Sequence, residues 1–348
     1  MRALLVTEPG RIEIAEVPQP ISGDYDCLVR VQACAFCNGT DSKLIEGTFP
    51  GSRTYPFILG HESVGEVIEV GPRVKKFKLG DVVLRPTACY PPQVPGRLEC
   101  AWGGFAEYAI VTDGEAQAEA GAGPPLSPFH GLQQLLPAQA DPVEATILVP
   151  LKEAVSWLRK MRLRAGERVL VLGSGPVGLA FAQCAKIMGA ALVVMSGRRD
   201  ERLALAAQFG VDAAVNVSRE GLREAVLRAT QGQGVDLAIE AVGSHELLQE
   251  GAACLARGGR IGTYGVPPTT PAEKPQLTLD LQHTLGEWSL CFTNPDEASA
   301  HEEVLSLVQS GRLQPQQYVT CVLPLEQAPQ GFELIKRRQA LKVVVRME

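Results

Sequence analysis

The 348-residue sequence has no long run of basic residues and no apolar stretch of membrane-spanning length. Its 33 basic residues are outnumbered by 39 acidic ones, and this balance argues against nucleic acid as a partner. The longest apolar stretches, such as Ala191 to Met195, fall far short of the roughly 20 residues that a transmembrane helix needs. No apolar core of a signal peptide follows the first residues. We therefore expect a cytoplasmic protein that does not enter a membrane.

A disulfide framework of the secreted type is also absent from the sequence. Nine cysteines are an odd number in a large chain, and Cys184 and Cys254 stand among apolar residues. Such cysteines are typical of reduced thiols in a core. The length allows two domains, and the content of 45% hydrophobic and 21% charged residues is ordinary for a globular enzyme.

Two patterns of secondary structure divide the chain near residue 150. From residue 1 to about 110, short Val- and Ile-rich runs separated by Gly, Pro and Asp predict a compact β-rich domain. Between about 112 and 145 the composition shifts to Ala, Gly, Pro and Gln, which predicts a surface excursion without a strand period. Beyond Pro150, strands and helices alternate, so we expect a parallel sheet with helices on both faces. The predicted elements there include Arg168 to Leu172, Val177 to Met188 and Ala191 to Met195.

The end of the chain carries a further predicted helix near Ala298 to Ser310 and a strand at Lys342 to Arg346. We expect this part to fold back onto the first domain. The predicted domains are therefore 1–149, completed by about 294–348, and 150–293. The predicted fold class is α/β, with a β-rich domain beside a doubly wound parallel-sheet domain.

A glycine-rich turn follows the predicted strand Arg168 to Leu172 and opens a helix, the context in which such a turn binds the pyrophosphate of a dinucleotide. The first glycine makes the tight turn, the second lets the backbone approach the pyrophosphate, and the third lets helix and strand pack closely. The helix N-terminus then faces the phosphates. The alternative is a glycine-rich turn without a ligand. The predicted cofactor-binding residues are Gly173, Ser174, Gly175, Pro176, Val177 and Gly178.

The segment Ser196-Gly197-Arg198-Arg199 stands about 20 residues after the third glycine, where NAD-binding folds usually place an acid for the ribose 2′-hydroxyl. A carboxylate there would repel a 2′-phosphate, whereas guanidinium groups and a serine hydroxyl hold one through charge-assisted hydrogen bonds. All four residues are therefore predicted to bind the cofactor, and NADP is favoured, with NAD possible. The alternative is a solvated helix start in which Asp200 and Glu201 balance the two arginines.

The segments Asp236 to Gly243 and Gly258 to Gly265 are predicted as later strands of the same sheet, ending at the cofactor edge. Backbone groups there, with Val242 among them, are candidates to meet the nicotinamide amide. The alternative, that both segments are plain sheet core, is equally open.

Three local patterns in the β-rich domain carry residue types that bind metals: Cys34 to Asp41, Gly60-His61-Glu62 and Gly80-Asp81. Thiolate, imidazole and carboxylate are the ligand set of a catalytic zinc, which keeps one position open for water or substrate. Each pattern alone is weak. A lone histidine is more often a core or surface residue, and a single Cys-x-x-Cys is not a zinc ribbon.

Taken together, the motifs resemble in order and spacing those of the zinc-dependent medium-chain dehydrogenases, and the polyol and threonine dehydrogenase branch is the most similar. The resemblance covers nearly the whole chain outside 112–145. It implies a GroES-like catalytic domain, a Rossmann domain, an active-site cleft between them, and a homodimer or homotetramer. The matching motifs are Cys37 with Thr40-Asp41, Gly60-His61-Glu62, Gly65 to Asp81, Gly104 to Tyr108 and Gly173 to Gly178.

The resemblance also implies roles for single residues. Cys37 and His61 would bind one catalytic zinc, and Glu62 would be a further ligand or a carboxylate close to the metal. As catalytic residues beside Glu62, Asp41 would accept the other ring N–H of His61, and Thr40 would relay the substrate's hydroxyl proton to solvent. The implied reaction transfers a hydride between a nicotinamide cofactor and a small alcohol or polyol, or the corresponding aldehyde or ketone.

The first two departures from the family pattern lie around Cys37. Two residues separate Cys37 from Thr40 where many relatives have one, so the relay geometry is open. After Asp41, the sequence Ser42-Lys43 stands where a histidine often follows, which puts a histidine relay in doubt.

The other departures concern the metal. Val149 replaces a glutamate that the polyol branch has close to the metal, and Glu153, one helical turn further on, is interpreted as a helix-surface residue rather than its replacement. The lobe between Asp81 and Phe105 contains only Cys89 and Cys100, so no structural zinc is predicted.

Two other functions remain open at this point. One is a reductase of activated C=C bonds or quinones in which zinc is weak or absent, and Val149 is its motivation. The other is a non-catalytic protein that binds NAD(P). The joint presence of Cys37, His61, Glu62 and Thr40 argues against the second, because a bare binding module has no need of that set.

Overall fold

The computed structural model describes residues 1–51, 54–88, 98–122, 130–268 and 287–347. Within these ranges the chain forms two compact units, Met1–Val149 with Gln314–Glu348, and Pro150–Leu313. No helix of the described part is long and apolar enough to cross a membrane.

In the described part of the chain, strands predominate up to Leu135, and helices and strands largely alternate from Pro142 onward. The strands are β1 (Arg2–Glu8), β2 (Arg11–Glu16), β3 (Asp26–Ala35), β4 (Phe57–Ile58), β5 (Glu62–Val70), β6 (Val82–Leu84), β7 (Glu99–Cys100), β8 (Tyr108–Thr112), β9 (Gln134–Leu135), β10 (Arg168–Leu172), β11 (Leu192–Gly197), β12 (Ala213–Asn216), β13 (Val235–Glu240), β14 (Leu255–Thr263), β15 (Ser289–Phe292), β16 (Val319–Pro324) and β17 (Lys342–Arg346). The helices are α1 (Thr40–Glu46), α2 (Gly114–Glu119), α3 (Pro142–Ala145), α4 (Leu148–Lys160), α5 (Pro176–Ile187), α6 (Asp200–Ala206), α7 (Leu222–Ala229), α8 (His245–Ala252), α9 (His301–Gln309) and α10 (Ala328–Lys336).

The first unit is built on two sheets. The described strands of the smaller sheet have the order β2-β1-β4-β7, and those of the larger sheet have the order β16-β17-β3-β5-β6-β9, with β8 also paired to β3. β3 is buried along most of its length because its side chains belong to apolar clusters, one containing Val29 and another containing Val31 and Cys34. This central strand ends at Ala35 and delivers the chain directly to Cys37.

The excursion predicted between about 112 and 145 is only partly irregular. It contains α2, the short strand β9, which pairs with β6, and α3, which begins after an Asp141 side chain that accepts two backbone N–H groups. The buried Gln133 side chain accepts from Thr112 N at 2.8 Å and donates to Ile110 O at 3.0 Å. The prediction of a surface excursion was wrong for these parts, because tertiary hydrogen bonds and capping fix segments that show no periodic pattern. Residues 123–129 lie outside the described residues.

The second unit contains a six-stranded parallel sheet with the order β12-β11-β10-β13-β14-β15. The chain enters at β10, proceeds outward to β11 and β12, and returns to the other side of β10 with β13. This doubly wound order confirms the predicted fold class and places the topological switch point between β10 and β13. Val169 to Leu172 and Val193 to Met195 are fully buried, as expected of strands in the middle of a parallel sheet.

The second domain boundary differs from the prediction. The sequence placed it near 294, whereas the compact unit extends to Leu313. The reason lies in contacts with α4: Lys160 Nζ donates to Asn294 O, Asp296 N donates to Ser156 Oγ, and Arg159 pairs with Glu303. A helical period shows that α9 exists, but these contacts decide which unit it joins.

Asp113 joins two segments of the first unit that the sequence pattern leaves unconnected. Its carboxylate accepts backbone N–H groups from Lys75 at 2.7 Å, Lys76 at 2.8 Å and Ala116 at 3.0 Å. Burial raises the pKa of Asp113, but these three hydrogen bonds lower it, and the net direction is below its ordinary value. The ionised carboxylate therefore stabilises the folded state above the pKa of the unfolded chain, and that contribution is lost as pH falls through the lower folded pKa.

We predict that Asp113→Asn reduces the free energy of unfolding by about 1 to 3 kcal/mol at neutral pH, because one carboxylate oxygen becomes a competing N–H donor. Since protonation removes the same advantage from the parent protein, the difference should shrink as the pH is lowered below the ordinary aspartate pKa. Urea denaturation at several pH values measures this, with the exposed Asp24→Asn as the control. A difference that does not depend on pH would contradict the assigned role of the charge.

Candidate metal centre and cofactor turn

Three predicted metal ligands converge in the first unit. Ligand atoms of Cys37, His61 and Glu62 all lie within 4.8 Å of one another. β3 and β5 run antiparallel with Ala35 opposite Glu62, so this pairing brings the residues after β3 against those at the start of β5. Zinc bonds of about 2.0 to 2.3 Å in a tetrahedron place ligand atoms roughly 3 to 4 Å apart, so the cluster fits one zinc ion with modest adjustment.

Asp41 holds Cys37 by hydrogen bonds and lies beside His61. Cys37 N donates to Asp41 Oδ2 at 2.9 Å, and Asp41 N donates to Cys37 O at 3.0 Å, so the loop before α1 is closed by two reciprocal hydrogen bonds. The second carboxylate oxygen, Oδ1, lies 3.5 Å from His61 Nδ1, at the outer limit of a hydrogen bond. Because Nδ1 faces Asp41, Nε2 is the ring nitrogen left for a metal. The backbone contact with Cys37 is a role of Asp41 that the sequence did not indicate.

The charges around His61 favour its protonated form in the metal-free protein. Burial lowers the pKa of His61, but the neighbouring Cys37 thiol group and the Asp41 carboxylate raise it, and the net direction is well above its ordinary value. A bound metal has to displace this proton. Metal affinity at the site should therefore fall as the pH decreases.

Lys342 is a buried residue of the site that the sequence analysis missed. Its Nζ donates to Phe36 O at 2.8 Å and forms an ion pair with Glu62. Both side chains are about 2% exposed. Burial lowers the pKa of Lys342, but Glu62 raises it, and the net direction is upward, so the ammonium stays charged. The only signal in the sequence was a lysine at the start of the otherwise apolar run that becomes β17.

The Trp102 ring packs beside His61, with its centre 4.9 Å from that of the imidazole. Trp102 has φ 70°, which is strained for a bulky residue, and Gly103 follows with φ 74°. A Cβ at Gly104 would lie 2.6 Å from Ser63 Cβ, so the backbone after Trp102 is pressed against the start of β5. A costly backbone conformation that lies next to a candidate metal ligand indicates a functional constraint on this segment.

The remaining residues predicted near the metal are placed as follows. Thr40 is the first residue of α1 and is half-buried, and its role as a proton relay stays a prediction. Val149 is completely buried. Glu153 was predicted to be a helix-surface residue, but it is half-buried and accepts a hydrogen bond from the Tyr264 hydroxyl within the second unit. Cys89, one of the two cysteines weighed for a structural zinc, lies outside the described residues, so the absence of that zinc stays a prediction.

The glycine turn of the second unit has the geometry that its predicted roles require. Gly173 has φ 118°, and its N–H donates to Ser196 O at 3.0 Å. A Cβ at Gly178 would lie 2.0 Å from Gly173 O, so only glycine fits there. Gly175 precedes α5, and a Cβ on it would meet no atom within 4 Å. The backbone at Gly175 is therefore open to a ligand at the N-terminus of α5, where Pro176 and Val177 form the first turn.

The other predicted cofactor residues lie at or just after the carboxyl ends of β11 and β13. Ser196 is buried at the end of β11, and a Cβ at Gly197 would lie 2.4 Å from the Ser174 hydroxyl. Arg198 is exposed, and Arg199 is the residue before α6. On the other side, the Val242 side chain lies beside Gly173, where a Cβ would be 2.7 Å from it.

Known proteins match both units. The family model described as "Alcohol dehydrogenase GroES-like domain" matches residues 23–118 of the first unit. The family model described as "Zinc-binding dehydrogenase" matches residues 176–305 of the second unit. An L-threonine 3-dehydrogenase of Cutibacterium acnes is 32% identical over 363 aligned positions, which cover 100% of this chain and 99% of that protein. The chain belongs to the zinc-dependent medium-chain dehydrogenases. This confirms the resemblance and the prediction of an oxidoreductase that acts on alcohols.

Solved structures agree with this assignment to the medium-chain dehydrogenases. The alcohol dehydrogenase of Thermus sp. ATN1 has a TM-score of 0.81 and 30% identity and covers 99% of each chain. A Sinorhizobium meliloti protein described as a zinc-binding dehydrogenase, and bound to NADP, has a TM-score of 0.80 and 27% identity over 99% of this chain and 98% of that one.

We predict that Lys342→Met in this medium-chain dehydrogenase lowers the free energy of unfolding of the metal-free protein by about 3 to 5 kcal/mol, because a buried carboxylate loses its cationic partner. The double variant Glu62→Gln with Lys342→Met should recover most of that loss, since neither charge is then left alone. Urea denaturation in the presence of a chelator measures both. Lys75→Met, which breaks an exposed pair with Glu119, is the matched control. A loss no larger than that of the control would show that the buried pair is unimportant.

Proposed function

We propose that this medium-chain dehydrogenase binds one zinc ion at Cys37 and His61 and uses NADP to interconvert an alcohol or polyol and the corresponding carbonyl compound. The observation that carries the proposal is the convergence of Cys37, His61 and Glu62 ligand atoms within 4.8 Å. The threonine and alcohol dehydrogenases among its relatives support a substrate with a hydroxyl group on carbon. The NADP in the Sinorhizobium meliloti structure supports a nicotinamide dinucleotide.

Several side chains of the first unit would keep this site in order. Zinc, when bound, supplies Lewis-acid polarisation of a substrate oxygen, and the nicotinamide supplies the acceptor or donor of the hydride. Asp41 fixes the backbone of Cys37, and its other carboxylate oxygen, 3.5 Å from His61 Nδ1, would set the orientation of that ring. Lys342 compensates the negative charge of Glu62, so that this carboxylate is not left as an unpaired buried charge. In this proposal Thr40, next to Asp41, passes the hydroxyl proton towards solvent.

The surroundings of Arg198 and Arg199 support the choice of NADP. In the alternative interpretation, Asp200 and Glu201 balance these arginines. Asp200 also accepts from Asn216 Nδ2 at 2.7 Å and pairs with Arg219, so its charge is shared with a further arginine. Arg199 also repels Arg202, whose pKa lies below its ordinary value because of burial first and the Arg199 charge second. Cationic groups therefore gather beside Ser196 and Gly197, which favours a 2′-phosphate.

We predict that the purified protein contains about one zinc per chain and that Cys37→Ser and His61→Ala each lose the metal. Both variants should reduce carbonyl compounds more than about 100-fold more slowly, because metal polarisation contributes several kcal/mol to such reactions. Metal analysis and a screen of aldehydes, ketones and ketoses measure the two effects. Cys321→Ser, at a half-buried thiol of the same unit, is the control.

The same screen tests the second candidate function. Buried, apolar Val149 stands where the polyol branch has a glutamate, and this observation favours a reductase of activated C=C bonds or quinones. A metal-free protein that turns over only enones or quinones would replace the zinc proposal with this one.

We predict that the protein prefers NADPH to NADH, and that Arg198→Ala and Arg199→Ala each lower the ratio of the two kcat/KM values about tenfold. A charge-assisted hydrogen bond to a phosphate is worth about 1.5 to 3 kcal/mol, which accounts for a change of that size. Arg257→Ala, at an exposed arginine paired with Glu287, is the control and should leave the ratio unchanged. A preference for NADH in the parent protein would contradict the interpretation of the arginines.

A further inference from the structure

Glu240 ends β13, the strand beside β10 on the far side of the switch point, and it is 1% exposed. Its Oε1 accepts backbone N–H groups from Val242 at 2.8 Å, Gly243 at 2.8 Å and Ser244 at 3.3 Å. One carboxylate oxygen therefore gathers three consecutive amides and closes the loop that follows β13.

The same residue also fixes the loop that follows β14. Thr263 Oγ1 donates to Glu240 Oε2 at 3.1 Å and lies the same distance from Gly265 O. The main-chain oxygen of Glu240 accepts from Tyr264 N at 2.8 Å and from Gly265 N at 3.1 Å. Side chain and backbone of a single residue thus hold the 241–244 loop and the 264–266 loop together.

The contact between these two loops leaves no room for a side chain at Gly243 or Gly265. A Cβ at Gly265 would lie 2.0 Å from Gly243 N, and a Cβ at Gly243 would lie 2.3 Å from Val266 O. The loops also present two apolar side chains outward, Val242 at 45% and Val266 at 37% exposure. Because three amides of the first loop are committed to Glu240, that loop offers a ligand its carbonyl oxygens and the Val242 side chain rather than these N–H groups.

The position of the loops identifies the part of a dinucleotide that would meet them. The pyrophosphate belongs at the Gly173 turn, and the half of the cofactor on the β11 side carries the adenosine, near Ser196 and Arg198. The other half therefore extends across the ends of β13 and β14. Val242, which lies against Gly173, connects the turn to this second half.

We infer that Glu240 is a positioning residue for the nicotinamide half of the cofactor: its carboxylate sets the two loops that receive the ring but does not touch the cofactor. The inference rests on the proposed use of a nicotinamide dinucleotide. The amide oxygen of a glutamine at this position accepts the same three N–H groups, so the role needs the acceptor rather than the charge. Burial raises the pKa of Glu240, which agrees with a site that tolerates a neutral side chain.

The test compares two ligands on the full-length, zinc-loaded protein: NADPH, and 2′-phospho-ADP-ribose, which lacks the nicotinamide ring. Glu240→Ala should weaken NADPH binding about tenfold or more, the effect expected when buried amides lose their acceptor. The affinity for 2′-phospho-ADP-ribose should stay within about twofold of the parent value. Glu240→Gln should restore NADPH binding to nearly the parent affinity. Isothermal titration calorimetry measures all three.

Glu246→Ala is the matched control, because it removes a nearby carboxylate that bonds the Ser244 hydroxyl at the exposed start of α8. If Glu240→Ala does not fold, Thr263→Val removes the hydrogen bond from Thr263 Oγ1 to Glu240 Oε2. This variant should weaken NADPH binding alone, by a smaller factor. Equal losses for both ligands, or no loss for either, would overturn the inference in favour of a general structural role. A parent protein that binds neither ligand would instead overturn the proposed function.

Discussion

The candidate metal centre depends on one constraint, the antiparallel pairing of β3 with two neighbours. β5 pairs with β3 on one side, and β17 pairs with it on the other. β3 carries the chain to Cys37, β5 begins with Glu62 immediately after His61, and β17 begins with Lys342. Since the register of β-strands decides which face every side chain occupies, a slip of one residue would disperse the ligands. The buried apolar residues of β3 hold this register, so the core and the candidate metal site are specified together.

The charged groups of the candidate metal centre, where β3 ends and β5 and β17 begin, depend on one another. Two buried carboxylates, Asp41 and Glu62, lie with the Cys37 thiol around His61, and Lys342 is the cation that compensates Glu62. Burying unpaired charge costs several kcal/mol, and burial raises the pKa of Glu62, so the lysine offsets part of the cost of ionising that carboxyl group before any metal binds. A zinc ion and Lys342 would then both interact with the Glu62 carboxylate. The balance between them would decide how strongly Glu62 takes part in ligation.

Much of the fold could be predicted from the sequence, because periodicity and glycine spacing are local signals. The strand Arg168–Leu172, the helix after the glycine turn and the final strand Lys342–Arg346 all lie where the pattern placed them. The candidate ligands Cys37 and His61 came from residue type together with motif order. The pattern did not reveal the partner of Glu62, because Lys342 is distant in sequence and only strand pairing brings it near. The ordered parts of 112–145 and the boundary at Leu313 were missed for the same reason, since tertiary contacts decide both.

In both units, a buried carboxylate accepts backbone N–H groups of a loop at the candidate metal site or the cofactor edge. Asp41 holds the backbone of Cys37, and Glu240 holds the loop after β13. Such an acceptor orders a loop at the end of a strand without occupying the surface that faces a ligand. Residues that fix the loops are therefore separate from residues that line them, such as Val242. Substitution of such lining residues can therefore alter how the surface meets a ligand while the carboxylates that fix the loops and the fold stay as they are.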